Sequence, residues 1–303
     1  MTDWIDLPIA GPFDLTASAR FLEGFAPAAR ASAAAHQGEL RLAFPCAPSW
    51  RPVGVHIRQS QVDGRVRARV VGDRRDTGNA VAHVRRILSL DVDGSGFAEV
   101  GRRDPVVAQL QRRYPGLRPV GFHSPYEAAC WAVIGNRTRI AHAAMIKHRL
   151  AERLGVEVEV HGELLPSFPG PEVITALEHV PLVNEVKSRR LRGIAEAALA
   201  GELDAGALRA MPADQAIEHL RRLDGIGPFS AELILLRGAV HPDGFPTSER
   251  RLHEEMVSAY GPSTVDLHGI AERWRPYRTW ISVLFRTRRE DLTGEIAGQR
   301  RAG

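Results

Sequence analysis

The chain has 303 residues, 44% of them hydrophobic and 25% charged, which suits a globular protein of two or three packed units. No run of about 18 apolar residues is present to span a membrane, and the acidic stretch 1–6 lacks the basic-then-apolar pattern of a signal peptide. The net charge is only +4 and is carried almost wholly by arginine, with Lys147 and Lys187 the only lysines; so small a charge does not by itself argue for a nucleic-acid partner, and an excess of arginine and alanine is equally the mark of a GC-rich genome. Cys46 and Cys130 lie far apart in apolar surroundings, which predicts two buried thiols in a reducing compartment and excludes a four-cysteine zinc or iron–sulfur centre.

Residues 1–105 read as mixed α and β. A helix is expected after Asp14. The stretches 39–44, 53–58 and 65–70 alternate apolar with polar, the pattern of half-buried antiparallel strands, and 61–64 supplies a turn between the last two. Thr77 is placed to cap a helix whose Val81, Val84, Ile87 and Leu88 form one apolar face. The expectation is a small antiparallel sheet backed by helices.

From residue 106 the periodicity is helical. Ser124, Pro125 and Glu127 make a capping-box pattern with proline at the first helical position, opening an apolar helix through Ile134. Further helices are predicted over 140–154, 173–177, 188–199 (stopped by Gly201), 212–223, 265–274 and 277–290, with a loop at 167–171 and a frayed tail after Gly294.

The stretch 220–231 stands apart. It reads as the end of one helix, a Gly225-Ile226-Gly227 turn, and a second helix opened by Pro228. Two glycines so close permit backbone geometries closed to other residues, and Ile226 between them would plug the gap between the helices. Such a turn presents a helix N-terminus whose free N–H groups favour a phosphate oxygen, a grip independent of base sequence. An ordinary helix–turn–helix corner is the competing reading.

This hairpin, followed by Gly244, Phe245 and Pro246 and then polar residues opening a helix, resembles the helix-hairpin-helix glycosylase superfamily, most nearly its 3-methyladenine DNA glycosylase II family. Three further stretches fit in order: 124–135 resembles the helix leading to the family's DNA-wedging loop, Ser167 to Glu172 its Phe-Pro-x-Pro-Glu loop, and Ala271 to Trp280 its tryptophan- and arginine-rich segment near the C-terminus. The resemblance implies an α+β fold: a TBP-like N-terminal sheet domain over 1–105, then a mainly α-helical, two-lobed HhH-GPD glycosylase region over 106–303. It also implies residue roles. The amides around Gly225, Ile226, Gly227, Phe229 and Ser230 would hold the DNA backbone, and the carbonyls of Arg221, Leu223 and Ile226 would hold a monovalent cation, Na+ or K+, when DNA is bound. Phe229 and Leu233 would line the base pocket.

The sequence departs from the family at four places. The family's catalytic aspartate is matched by Glu249, and the aspartate before it by Ser248. A carboxylate there stabilises the positive charge left on the sugar and orients or deprotonates water; the competing reading is an acid at a helix N-terminus. The lysine of the bifunctional relatives is replaced by Phe229, which removes hairpin-lysine lyase chemistry. The wedge loop carries Asn136 and Arg137, of which Arg137 would fill the gap left by a flipped base or contact phosphate. Arg286 stands where the family's prototype has an aromatic pocket wall; it either repels cationic purines and recognises a carbonyl or phosphate, or faces solvent with Arg288 and Arg289. The expected protein is a monomeric, cytoplasmic, monofunctional DNA glycosylase at the bacterial nucleoid. It would excise a damaged purine, alkylated or otherwise modified, from double-stranded DNA without a catalytic cofactor and without a membrane. A catalytically weak or inactive damage-sensing member of the same fold is the alternative.

Overall fold

The computed structural model describes residues 2–24, 38–262 and 266–294. The alternating stretches form strands β2 (Glu39–Cys46), β3 (Arg51–Gln59) and β4 (Val66–Val71), and a three-residue strand β1 (Ile5–Leu7) joins them. The sheet has the order β1-β4-β3-β2 with every pair antiparallel, in a register that sets Leu42 opposite Val55 and Ile57 opposite Ala68. Its inner face, with Phe44, Val55, Ile57 and Val70, packs on helices α1 (Leu15–Gly24) and α2 (Thr77–Ile87) through Leu15, Leu22, Val84 and Ile87. Thr77 is inside α2 and does not cap it. The N-cap position belongs to Asp76, whose carboxylate instead accepts hydrogen bonds from Arg51 Nε at 2.7 Å and Ser49 Oγ at 2.8 Å.

The outer face of the sheet is covered as well. A hairpin of two four-residue strands, β5 (Glu157–Val160) and β6 (Glu163–Pro166), reaches back from the helical region and buries Val160 and Leu165 on Ala43. Gly54 makes this possible, since a Cβ there would stand 2.4 Å from Val160 Cγ2.

The helices divide between two cores. One gathers α5 (Pro125–Gly135), α6 (Ile140–Leu154), α7 (Pro171–Thr175), α8 (Glu185–Leu199), α9 (Ala205–Ala210), α10 (Ala213–Leu220) and α11 (Pro228–Leu233) around Tyr126, Ile134, Leu150, Ile194, Leu220 and Ile234. A π-helical turn, Ile234–Gly238, continues α11. The other core packs α3 (Phe97–Arg103) and α4 (Pro105–Arg113) against α12 (Arg250–Tyr260), α13 (Leu267–Glu272) and α14 (Arg278–Thr293) through Phe97, Leu110, Met256, Trp274, Trp280 and Phe285. Asp104 ties this lobe together. It caps α4 by accepting from the Val106 and Val107 amides and also accepts from Tyr260 Oη at 2.7 Å and Trp274 Nε1 at 3.3 Å. The protein is thus α+β, with a small sheet followed by a two-lobed helical region.

Several predicted boundaries shift. The helix expected over 212–223 ends at Leu220, and 221–227 form the turn of the hairpin. The one expected over 265–274 is the shorter α13; residue 265 lies outside the described residues, as does the tail beyond Gly294. Gly201 follows α8 with φ +82, the stop that was expected. The capping box at α5 is half formed: Ser124 Oγ accepts from the Glu127 amide at 3.1 Å. The Glu127 carboxylate turns inward to Lys147 Nζ at 2.6 Å and His123 Nδ1 at 2.9 Å. Cys46 and Cys130 are free and buried, and burial, reinforced by the Asp76 charge, pushes the Cys46 thiol up to about 12. No helix among the described residues is long and apolar enough to cross a membrane.

Candidate active site and nucleic-acid interface

The hairpin forms as expected, with one refinement. Gly225 has φ +86, a conformation that favours glycine, and a Cβ there would stand 2.6 Å from Arg190 Cδ, whose side chain would have to move aside. Gly227 is extended, with φ −87 and ψ −178, and a Cβ on it would meet nothing within 4 Å. Its smallness serves no internal packing; it leaves room in front of α11. Ile226 is buried in the first helical core, as the plug requires. Pro228 opens α11, leaving the amides of the following residues without helical acceptors. Arg221, Leu223 and Ile226 follow one another around the turn, and the Leu223 carbonyl accepts only the Ile226 amide, at 3.1 Å, which leaves it a lone pair.

A cleft of about 1060 Å³ runs between the two helical lobes. One wall is built by Trp131, Ala132 and Asn136 with Phe229, Ser230, Leu233 and Arg237; the other by Glu249 and the Thr279, Ser282, Val283 and Arg286 side of α14; α1 adds Arg20 and Phe21. Phe229 is 53% exposed, an apolar ring presented rather than packed away. Phe229 is therefore not a core residue.

Glu249 occupies the N-cap position of α12, but its side chain makes no capping hydrogen bond. Its Oε1 lies 2.5 Å from Arg286 Nε. Arg286 faces the cleft and not the solvent. Its neighbours Arg288 and Arg289 are the ones that zip α14 to α12, pairing with Glu255 at 3.2 Å and Glu254 at 2.9 Å. The Nη1 of Arg286 is buried without a hydrogen-bond partner. Arg237 completes the cationic side of the cleft. Its guanidinium lies 4.9 Å from the Phe21 ring centre, and burial, countered by Glu249 and reinforced by Arg286, lowers its pKa to about 10.

A second carboxylate escaped the sequence reading. Glu232, on α11 and 5% exposed, accepts three short-range donors from the segment just before Glu249. The Thr247 amide lies at 3.0 Å, Thr247 Oγ1 at 2.5 Å, and the Ser248 amide at 3.0 Å. Buried carboxylates persist only where such donors meet them, and here the donors belong to the strand of chain that aims Glu249. The only hint in the sequence is an acid between the apolar Ala231 and Leu233, on a helix otherwise built for the core.

The loop expected to wedge the DNA follows α5. Asn136 lines the cleft, Arg137 stands exposed with φ +52, and Lys187 Nζ donates to Ile134 O and Thr138 Oγ1, both at 2.7 Å. Lys187 thus braces the loop from α8, and Lys147 is committed to Glu127. Neither lysine lines the cleft.

The chain matches no protein-family model. By sequence it is 31% identical over 173 residues to the DNA-3-methyladenine glycosylase of Bacillus subtilis, covering 56% of this chain and 57% of that protein. It is 30% identical over 220 residues to a probable bifunctional transcriptional activator/DNA repair enzyme AlkA of Mycobacterium tuberculosis, covering 70% of this chain and 43% of that protein. In fold it is similar to a 3-methyladenine DNA-glycosylase from Archaeoglobus fulgidus, with a TM-score of 0.74 at 19% identity, over 94% of this chain and 97% of that one. The chain is thus similar in sequence to DNA-3-methyladenine glycosylases and shares the fold of the archaeal one. It spans about half the length of the curated relatives it matches, and the alignment with the archaeal fold runs across sheet and helical lobes alike. In this cleft the Glu249–Arg286 pair stands in front of the Glu232 anchor.

Proposed function

We propose that this protein is a DNA glycosylase of base excision repair that hydrolyses the N-glycosidic bond of a damaged purine in double-stranded DNA. The observation that carries the reading is a carboxylate, Glu249, and an exposed aromatic ring, Phe229, sharing one cleft beside the hairpin. Of the two sequence relatives named above, one is described as a DNA-3-methyladenine glycosylase and the other as a probable transcriptional activator/DNA repair enzyme.

In this reading the hairpin amides from Gly225 to Ser230 hold a phosphate, and the space in front of Gly227 admits it. Arg221, Leu223 and Ile226 offer carbonyl oxygens, the donors that hard cations take; Na+ or K+ bound there would add positive charge beside the phosphate. Arg137 and Asn136 enter the duplex as the nucleotide leaves it. The extruded base lies against Phe229 and Leu233. As the glycosidic bond breaks, positive charge builds on the sugar, and the Glu249 carboxylate stabilises it and orients the attacking water. Arg286 fixes the direction of the Glu249 carboxylate, while its own charge offsets part of that stabilisation. With no lysine in the cleft, the product is an abasic site, with no Schiff base at the hairpin. The protein works as a monomer in the cytoplasm, on nucleoid DNA.

The test is base release from duplexes carrying 3-methyladenine, 7-methylguanine, 1,N6-ethenoadenine, hypoxanthine or uracil, comparing wild type with Glu249→Gln. Excision of at least one of the purine lesions, lost by about a hundredfold or more in the variant, is expected. Equal excision by both, or none by either, overturns the reading; binding to lesion DNA without excision would point instead to a damage-sensing protein.

A further inference from the structure

The hairpin that covers the outer face of the sheet does more than fill it. Its turn carries His161, held at φ +52, over His56 of β3 and Glu39 of β2. The two imidazoles have centroids 4.4 Å apart and planes 19° from parallel, and His56 Nε2 lies 3.2 Å from Glu39 Oε2. One ligating atom from each of the three residues falls within 4.8 Å of the others.

His56 is 2% exposed, and both of its ring nitrogens are buried without a hydrogen-bond partner. The Glu39 carboxylate stands beside Nε2 as an ion-pair neighbour. An imidazole buried in a finished core donates through one nitrogen and accepts through the other; His56 does neither.

We propose that Glu39, His56 and His161 form a binding site for a divalent transition-metal ion of the zinc class. Two imidazoles and one carboxylate suit zinc, nickel or copper, whereas calcium and magnesium take oxygen ligands. Tetrahedral zinc at 2.0–2.1 Å from nitrogen places ligand atoms about 3.4 Å apart, a contraction that rotation of the exposed His161 side chain supplies. The nearest cation, Arg41, lies 3.5 Å from Glu39 Oε2, and its other terminal nitrogen is held by Glu163 at 3.1 Å, which offsets its charge. None of the three ligands lines the cleft, and the site lies across the sheet from α1. It would therefore act as a clip between the hairpin and the sheet, and its existence does not depend on the glycosylase reading.

The experiment is isothermal titration of the chelator-treated full chain with ZnCl2, with Co2+ absorption as the readout of coordination. One zinc ion per chain is expected to bind, with a raised Tm and visible Co2+ bands. His161→Ala and Glu39→Gln, both at partly or fully exposed positions, each weaken binding by about a hundredfold or more, while His148→Ala on the exposed face of α6 leaves it unchanged. Failure to bind zinc stoichiometrically overturns the proposal. So does binding that survives His161→Ala and Glu39→Gln, which would assign the zinc to other histidines.

Discussion

Glu249 and Arg286 meet across the cleft, Oε1 to Nε at 2.5 Å, so that the N-terminus of α12 is tied to the middle of α14 at the place where a leaving base would sit. The pair sets the electrostatics of the pocket. A cationic methylpurine entering it meets the guanidinium charge of Arg286, a repulsion that a neutral purine does not feel. Two unit charges about 5 Å apart exchange roughly 3 kcal/mol at an effective dielectric of about 20. A tenfold change in rate needs only about 1.4 kcal/mol. Arg286→Ala is therefore expected to raise kcat/KM on 7-methylguanine relative to hypoxanthine by about tenfold. Single-turnover excision on the two duplexes measures the ratio, and an unchanged ratio removes Arg286 from substrate choice.

Glu232 acts one step behind Glu249. Its carboxylate receives the Thr247 and Ser248 amides and the Thr247 hydroxyl, which fixes the chain immediately before Glu249. Glu232→Gln replaces one acceptor oxygen by an NH2 group facing an amide donor, so at least one of these bonds is lost. A displacement of about 1 Å at the reacting centre costs around a hundredfold in rate. The expected outcome is a fall in kcat of that order with lesion-DNA affinity within about twofold of wild type. Loss of affinity in step with kcat would show a general collapse of the cleft instead.

The contrast between these two carboxylates shows what was legible in the sequence. Glu249 and Arg286 could be located because each occupies a fixed distance from a motif, the Phe245-Pro246 pair and the Trp274 segment. Their mutual contact was not foreseen, because it joins residues 37 positions apart on separate helices. Glu232 carried no motif; its role comes from burial and from donors supplied by a loop fifteen or so residues later. The four-residue strands of the β5–β6 hairpin are too short for alternation to rise above the surrounding pattern, so the sheet's second covered face, and with it the approach of His161 to His56, came only from the fold. The Gly225-Ile226-Gly227 turn was readable because φ +86 at Gly225 and the burial of Ile226 are local demands.

Glu127 reports on the core behind the wedge helix. It is buried with Lys147 Nζ at 2.6 Å and His123 Nδ1 at 2.9 Å. Burial alone would raise its pKa, but the His123 and Lys147 charges outweigh it and hold the carboxyl well below its ordinary value. A depressed carboxyl stabilises the fold fully at neutral pH and loses that contribution as the pH falls below about 4.5, where the unfolded chain takes up the proton first. Glu127→Gln leaves the Lys147 ammonium buried without its counter-charge, which costs about 3 kcal/mol or more. Guanidinium unfolding at pH 7 is expected to show that loss, and the difference from wild type should narrow steadily below pH 4.5. A difference independent of pH would mean that Glu127 acts through packing alone.

Gly225 and Gly227 separate folding from binding within a single turn. Any side chain at Gly225 combines a φ of +86 with a Cβ 2.6 Å from Arg190 Cδ, so substitution there strains the hairpin itself. At Gly227 the backbone is extended and a Cβ meets nothing within 4 Å, so Gly227→Asp fits without strain and should shift stability by no more than about 0.5 kcal/mol. It does, however, place a carboxylate where the amides of α11 are expected to receive a phosphate. Repulsion between like charges and loss of the space then act together, and affinity for any duplex should fall by about tenfold or more. The slope of log K against log salt should also become shallower, by about the 0.9 expected for one lost phosphate contact. Fluorescence anisotropy at several salt concentrations, paired with a thermal melt, checks both halves. An intact melt with unchanged DNA affinity would take the phosphate away from this turn and leave the hairpin as a packing corner.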